Sequence, residues 1–184
     1  LDGRFVGLKS DYQVCGRVPS CLDLSETGDL GVHITSGFGK GPYLRTLRLI
    51  PKNHVLGVGC RRGTCKDDIK KMALSVLDAA GISIESVRAV ASIDLKENEA
   101  GLVEFASETG IPAVFYSSSE LNALPDIGYS VSDFVKNTTG VDCVCERAAM
   151  AASAGGELIV RKTGGGGVTL AVVREPFLVD FGDE

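Results

Sequence analysis

A chain of 184 residues fits one domain, or one domain with a small appendage, and is long enough to bury a sizeable core. Hydrophobic residues at 44% and charged residues at 23% exclude wholesale disorder, and no apolar run reaches the roughly 20 residues that span a bilayer. Against 24 acidic side chains stand 19 basic ones, a net charge of −5 that argues against general affinity for nucleic acid or for an acidic membrane surface. An anionic ligand must then be held by a local cluster of cations.

No charged-then-apolar segment opens the chain as a secretory signal would, so a cytoplasmic location is expected. The first residue is Leu1, as expected of a piece of a longer protein. The cysteines fall at irregular spacings, Cys15 and Cys21, Cys60 and Cys65, Cys143 and Cys145, with no C-x-x-C. With only His33 and His54 to join them, a zinc site is not expected, and the thiols are read as free, buried groups in a reducing compartment.

Residues 1–53 read as a β-rich tail of a preceding region. Its short strand-like pieces, Arg4–Leu8, Gly31–Thr35 and Leu47–Ile50, are separated by polar, glycine-rich turns. The run Ser36-Gly37-Phe38-Gly39-Lys40-Gly41 is like a phosphate loop in composition. Pro42 and a strand-like run follow it, so a mobile hairpin or inter-domain loop is the better reading. Residues 54–184 read as a complete α/β domain.

Within that domain His54–Cys60 is a short apolar run suited to a buried parallel strand. Ile69, Met72, Ala73, Val76, Leu77 and Ala80 follow the spacing of one helix face, with a Thr64-x-x-Asp67 cap before them and Gly81 as a stop. A strand at Val87–Ile93, a helix from about Glu97 to Thr109 and a strand at Ile111–Tyr116 come next. Ser117–Leu124 opens as a capped helix with Glu120 three residues after Ser117. Helices near 130–138 and 143–154 and strands at Glu157–Val160 and Val168–Arg174 complete the domain. The expected architecture is three-layer α/β/α with a largely parallel sheet and an antiparallel pair at the C-terminal end. The four glycines Gly164–Gly167 between the last strands read as a flexible turn or a ligand lid.

In such sheets the ligand crevice lies beyond the carboxyl ends of the strands. Gly57-Val58-Gly59-Cys60-Arg61-Arg62-Gly63-Thr64 runs there from strand to helix. Its glycines permit close backbone approach, the helix start offers free N–H groups, and Arg61 and Arg62 add forked donors, which together suit an oxyanion or carboxylate. Arg62 stands where a dinucleotide fingerprint needs its third glycine, and the Gly-Lys-Thr of a P-loop is absent. The helix start and the arginines are expected to make the Cys60 thiol more acidic, but with no histidine adjacent in sequence to act as its base it reads first as a small loop residue. Asp94 and Lys96, at the next strand end, read either as a base with its orienting cation or as a surface ion pair. Ser117 reads as a helix cap, and His33 and His54 as structural.

Leu49-Ile50-Pro51-Lys52, Leu56-Gly57-Val58-Gly59-Cys60-Arg61-Arg62-Gly63-Thr64 and Ala91-Ser92-Ile93-Asp94-Leu95-Lys96 with Glu99 together resemble the C-terminal domain of the cobalamin-biosynthesis protein CbiG and its single-domain relative CobE. Phe115-Tyr116-Ser117, Glu120-Leu121, Gly140-Val141, Glu146 and Gly155-Gly156-Glu157-Leu158 continue the likeness over roughly residues 49–174. The resemblance implies the anaerobic route to cobalamin and a cobalt-precorrin-5A hydrolase, which opens a δ-lactone on the macrocycle and releases acetaldehyde. It implies a catalytic set of Asp94, Glu99 and Lys96, and a substrate-binding set of Gly57, Gly59, Cys60, Arg61, Arg62, Gly63, Thr64 and Ser117. Cobalt then arrives with the anionic tetrapyrrole, and the chain carries no cofactor of its own. A second copy of the chain and other corrin-pathway enzymes are the protein partners it leaves open. The full hydrolase is a longer chain with a separate N-terminal domain, so the alternative is a non-catalytic corrinoid-binding module. Dinucleotide binding is the distant third reading.

Overall fold

The structure, a computed structural model, describes residues 5–24 and 27–182. They form two compact units. The first holds the described residues up to Lys52 with 81–86 and 177–182, and the second holds Asn53–Ala80 and Val87–Pro176.

In the first unit, strands β1 (Val6–Ser10), β2 (Gln13–Cys15), β3 (Leu22–Asp23), β4 (Leu30–Ile34) and β5 (Arg45–Leu49) are short. Of the expected Arg4–Leu8 strand, Arg4 lies outside the described residues. A four-stranded sheet runs β3-β1-β4-β5 with every pairing parallel. The 36–41 loop is therefore no hairpin. It belongs to a crossover between parallel neighbours, because a hairpin needs antiparallel partners. Tyr43, at the end of that crossover, lies against Gly7 and Gly31, where a Cβ would stand only 2.3 and 2.2 Å from its ring. His33 is paired to Asp11, with Nε2 and Oδ1 3.1 Å apart.

The second unit begins with β6 (His54–Cys60), whose apolar run has the expected bounds, followed by helix α1 (Lys66–Ala79) and β7 (Val87–Ile93). Helix α2 (Ala100–Thr109), strand β8 (Ala113–Tyr116) and helices α3 (Ser118–Asn122), α4 (Asp133–Thr139) and α5 (Val144–Ala152) lead to β9 (Glu157–Gly165) and β10 (Val168–Arg174). The sheet order is β8-β7-β6-β10-β9, with β6, β7 and β8 parallel and β10 antiparallel to both its neighbours. Back in the first unit, β11 (Leu178–Asp180) pairs in parallel with β2.

Alternation along β6 divides its side chains between two layers. Val55 joins Ala91, Ile93 and Val173 under Val144, Ala148 and Ala149 of α5. Leu56 and Val58 point the other way and are fully buried, as are Ile69, Leu77, Leu102 and Phe105 of the packed pair α1 and α2. Gly57 faces α5 at so short a distance that a Cβ would lie 1.8 Å from the Cys145 carbonyl oxygen. The small residues of α5 are what let helix and strand meet this closely.

Local chemistry sets the element ends. Gly110, at φ 66°, closes α2, and Gly81, at φ 70°, follows the last residues of α1. The Thr64 cap expected for α1 does not form. The N-cap is Cys65 without a side-chain bond, because the Thr64 hydroxyl donates to the Arg61 carbonyl at 2.8 Å. Ser117 does cap α3, with Glu120 returning the bond to the Ser117 amide. Gly164 and Gly165 continue β9 in register with Thr169 and Val168, and only Gly166 and Gly167 turn, at φ 60° and 86°. Two consecutive positive φ values are those of the tight two-residue hairpin, which demands glycine or a close substitute.

Among the described residues, no helix is long and apolar enough to cross a membrane.

His54, at the start of β6, is 1% exposed, and its Nδ1 finds no partner. Burial, aided by the Arg174 cation, lowers its pKa to about 4, against the weaker opposing pull of Glu175. The unfolded chain takes up this proton near pH 6.5, whereas the folded chain waits until about pH 4. Stability therefore falls as pH drops through that window and is unaffected above it. At pH 4.5 the cost is about 2 to 3 kcal/mol relative to pH 7.5. Urea unfolding of the wild type and His54→Leu at both pH values should show that difference between the two proteins. Equal pH responses would contradict it.

Candidate anion site at the sheet edge

The carboxyl ends of β6, β7 and β8 and the β9–β10 turn lie along one edge of the second unit. Cys60 ends β6, and Arg61, Arg62 and Gly63 follow as an exposed turn with Gly63 at φ 77°. Four contacts hold this turn. The Arg61 amide donates to the Gly167 carbonyl at 3.0 Å, and the Thr64 hydroxyl closes onto the Arg61 carbonyl. The Gly63 amide donates to Glu99 Oε1 at 2.7 Å. Gly101 lets α2 press against the turn, since a Cβ there would be 2.0 Å from the Thr64 carbonyl oxygen.

Arg61 and Arg62 thus stand on a fixed backbone. Both are exposed, and neither makes an ion pair or a side-chain hydrogen bond among the described residues. The Arg61 stem lies over Gly167, 3.2 Å from where a Cβ would be. Two adjacent guanidinium groups at a strand end carry forked donors of the kind that suits carboxylates, and the Arg62 charge also helps hold the nearby Glu99 carboxyl low. The bare N-terminus of α1 adds positive potential, offset in part by Asp67 and Asp68 in its first turn.

Glu99 and Lys96 are committed to each other. Lys96 Nζ lies 2.9 Å from Glu99 Oε2, with both side chains largely shielded at 17% and 10% exposure. The Lys96 bond, then the Gly63 amide, holds the Glu99 carboxyl below the usual range in spite of burial. In this geometry Glu99 is a strut between two loops, with a partner on each of its oxygens. Asp94 is exposed, and its Oδ1 accepts the Leu95 amide at 2.7 Å, leaving Oδ2 open. Residues Asp94–Lys96 form a short 3-10 turn, which delays the start of α2 to Ala100.

Other predicted residues take different places. Gly57 and Gly59 lie within β6. The space beside Gly57 is filled by α5, and that beside Gly59 by Thr169, whose hydroxyl donates to the Gly59 carbonyl at 3.3 Å. The Cys60 thiol is pushed up, not down. Burial in the strand end outweighs the Lys96 cation, and Glu99 adds to the rise. Ser117 sits at the end of β8, two strands or about 10 Å along the edge, with its hydroxyl engaged by Glu120 at 2.6 Å.

Sequence reading missed Leu95, 64% exposed although both its neighbours are tied down, and it missed Gly101. Gly101 falls in the first turn of α2, where a glycine in place of a better helix former is the signal the sequence offers. Glu146 is fully buried on α5 and accepts from the Ser130 amide and hydroxyl and the Lys162 amide at 2.7 to 2.9 Å. Burial alone would raise its pKa, yet these donors hold it lowered. Arg147 clasps Asp142 at 2.6 and 3.1 Å and lies 4.3 Å over the Tyr129 ring. Both residues tie the 126–143 connection to α5. Among the described residues no three His, Cys, Asp or Glu side chains cluster to hold a metal ion.

Residues 54–173 match the family model for the cobalamin synthesis G C-terminus. The chain is 38% identical over 127 residues to a cobalt-precorrin-5A hydrolase of Priestia megaterium, which is 69% of this chain and 33% of that protein. It is 36% identical over 110 residues to protein CobE of a Sinorhizobium species, 59% of this chain and 71% of that one. The chain therefore spans about a third of the hydrolase's length. Among solved structures, that of CobE from the cobalamin biosynthetic pathway superposes with a TM-score of 0.64 at 28% identity, covering 68% of this chain and 92% of the CobE chain.

Proposed function

Because the chain belongs to the cobalamin synthesis G C-terminus family, we propose that it serves cobalamin biosynthesis by holding an anionic cobalt-tetrapyrrole at the carboxyl edge of β6, β7 and β8. The observation that carries this reading is the pair Arg61 and Arg62, exposed on a turn fixed by Glu99, Gly101 and Gly167. A precorrin is fringed with acetate and propionate arms, and an acidic chain needs such a concentrated patch to hold it. Leu95 offers apolar contact beside it for the face of the macrocycle. Cobalt comes with the substrate.

Within the longer hydrolase the reaction is opening of the δ-lactone of cobalt-precorrin-5A with loss of acetaldehyde. Water adds to the lactone carbonyl, a carboxylate takes its proton, and donors meet the oxyanion as the ring C–O bond breaks. The freed alcohol then loses its proton and becomes the C=O of acetaldehyde as its C–C bond to the macrocycle cleaves, the electron pair passing into the conjugated ring. Asp94 fits the base, since one of its oxygens is open. Arg61, Arg62 and the turn amides fit the donors, and Glu99 and Lys96 position them. Asp94→Asn is expected to lower acetaldehyde release about a hundredfold or more while leaving binding of cobalt-precorrin-5A intact. An unchanged rate would remove Asp94 from the chemistry.

The second reading is a binding module without turnover. It is favoured by the commitment of Glu99 to Lys96 and Gly63 and by the match to most of CobE's length. Under either reading Leu95→Ser should weaken binding about tenfold, for loss of one buried aliphatic contact. Equal affinities would place the macrocycle elsewhere.

A further inference from the structure

The thiols of Cys143 and Cys145 lie 3.8 Å apart, sulfur to sulfur, in a cluster with Tyr129 and Ala171. Both are buried, at 0% and 1% exposure. Cys143 is the N-cap of α5 in an extended conformation, and Cys145 lies in the first turn. With one helical residue between them, their α-carbons are about 5.5 Å apart, inside the span a disulfide bridges. The geometry points to a dithiol that closes reversibly to a Cys143–Cys145 disulfide and thereby resets the start of α5, a redox-sensitive device independent of the reading above.

The chemistry balances with a peroxide as oxidant. The Cys143 thiolate attacks the O–O bond, giving a sulfenic acid and releasing water after protonation. Cys145 sulfur then displaces the sulfenic hydroxyl as a second water, so two thiols and one peroxide become one disulfide and two waters. The order follows from the hydrogen bond between the sulfurs, which lowers the Cys143 pKa and raises that of Cys145. Access comes through opening of the helix end, the part of α5 with fewest backbone bonds.

Closure draws the sulfurs from 3.8 Å to about 2.05 Å. The Cys145 backbone packs closely on Gly57 of β6, so the displacement falls on the helix end. Cys143 must move, and with it Asp142, which binds the Ser132 amide and the Arg147 guanidinium. Oxidation therefore loosens the connection that Tyr129, Ser130 and Ser132 tether to α5, and a reducing thiol restores it.

The test exposes the folded chain to hydrogen peroxide, then alkylates in denaturant and digests with trypsin. The fragment between Lys136 and Arg147 contains Cys143 and Cys145 and no other cysteine. It should carry no alkyl label and be lighter by the hydrogens lost, and dithiothreitol should reverse this. Amides of residues 128–142 should exchange faster after oxidation while those of β7 stay unchanged. In Cys145→Ser, Cys143 should stop at the sulfenic acid and be trapped by dimedone. Alkylation of both cysteines at a peroxide dose that consumes the exposed Cys21 or Cys65, direct passage of Cys143 to the sulfinic acid, or unchanged exchange at 128–142 would overturn the inference.

Discussion

Replacing Arg61 and Arg62 together with alanine is expected to weaken binding of cobalt-precorrin-5A roughly a hundredfold, about tenfold for each guanidinium. Neither side chain has an ion-pair partner among the described residues, so their removal leaves no buried charge behind. The loss should appear as weaker binding and not as a damaged fold. Arg62→Ala is the cleaner single change, because the Arg61 stem also rests on the Gly167 turn. Lysine at either position keeps the charge and loses the planar fork, so it should recover only part of the affinity. Wild-type binding should weaken with added salt, and the double variant should respond less. Titrations of both proteins at two salt concentrations check this. Equal affinities would show that the arginine turn is not the receptor.

Gly57→Ala is expected to cost about 3 kcal/mol, with a fall in Tm of roughly 10 °C. The added methyl would stand 1.8 Å from the Cys145 carbonyl oxygen and 2.9 Å from the Ala149 Cβ. Both neighbours belong to a helix packed on a central strand, so neither yields as a surface side chain does. Gly165→Ala is the matched control. There a Cβ meets only the Met72 sulfur at 3.7 Å, an ordinary contact, and the change should be nearly neutral. Thermal melts of the two variants test the difference. A wild-type Tm for Gly57→Ala would mean that α5 does not press on β6 at this point.

Gly57 also shows what the sequence could convey. Its place between a strand and a cationic turn reads as an approach point for a ligand, yet the approaching group is the α5 backbone. The strands themselves were legible. β6, β7 and β10 are mostly apolar and largely buried, and they keep their expected bounds, because strands buried on both faces announce themselves by composition. Helix α1 was legible from its apolar stripe, but its cap was not. Thr64 had two acceptable uses for its hydroxyl, and the Arg61 carbonyl took it. β9 runs past its expected end to Gly165, since glycine carries no strand preference and only cross-strand pairing with Val168 reveals it.

In the candidate site, residue types were readable and partnerships were not. Glu99 binds Gly63 across 36 positions of chain, a contact that no local pattern encodes. With that contact on Oε1 and Lys96 on Oε2, both oxygens of Glu99 are engaged. Cys60 illustrates the opposite error. Neighbouring arginines in the sequence imply an acidic thiol, but their guanidinium groups are exposed while the sulfur is half-buried in the strand end, where desolvation dominates. In the first unit, the parallel pairing of β1, β4 and β5 is equally nonlocal. A glycine-rich loop looks the same in sequence whether it closes a hairpin or crosses between parallel strands.

The most direct measurement is anaerobic titration of this chain with cobalt-precorrin-5A, following the macrocycle's absorption and the release of acetaldehyde together. A saturable spectral shift that weakens with salt and is lost in the Arg61 and Arg62 double alanine variant is the predicted result. Acetaldehyde released alongside it would place turnover in these residues, and a shift without release would assign them binding alone. No spectral change at saturating protein would contradict the claim that this sheet edge holds the cobalt-tetrapyrrole.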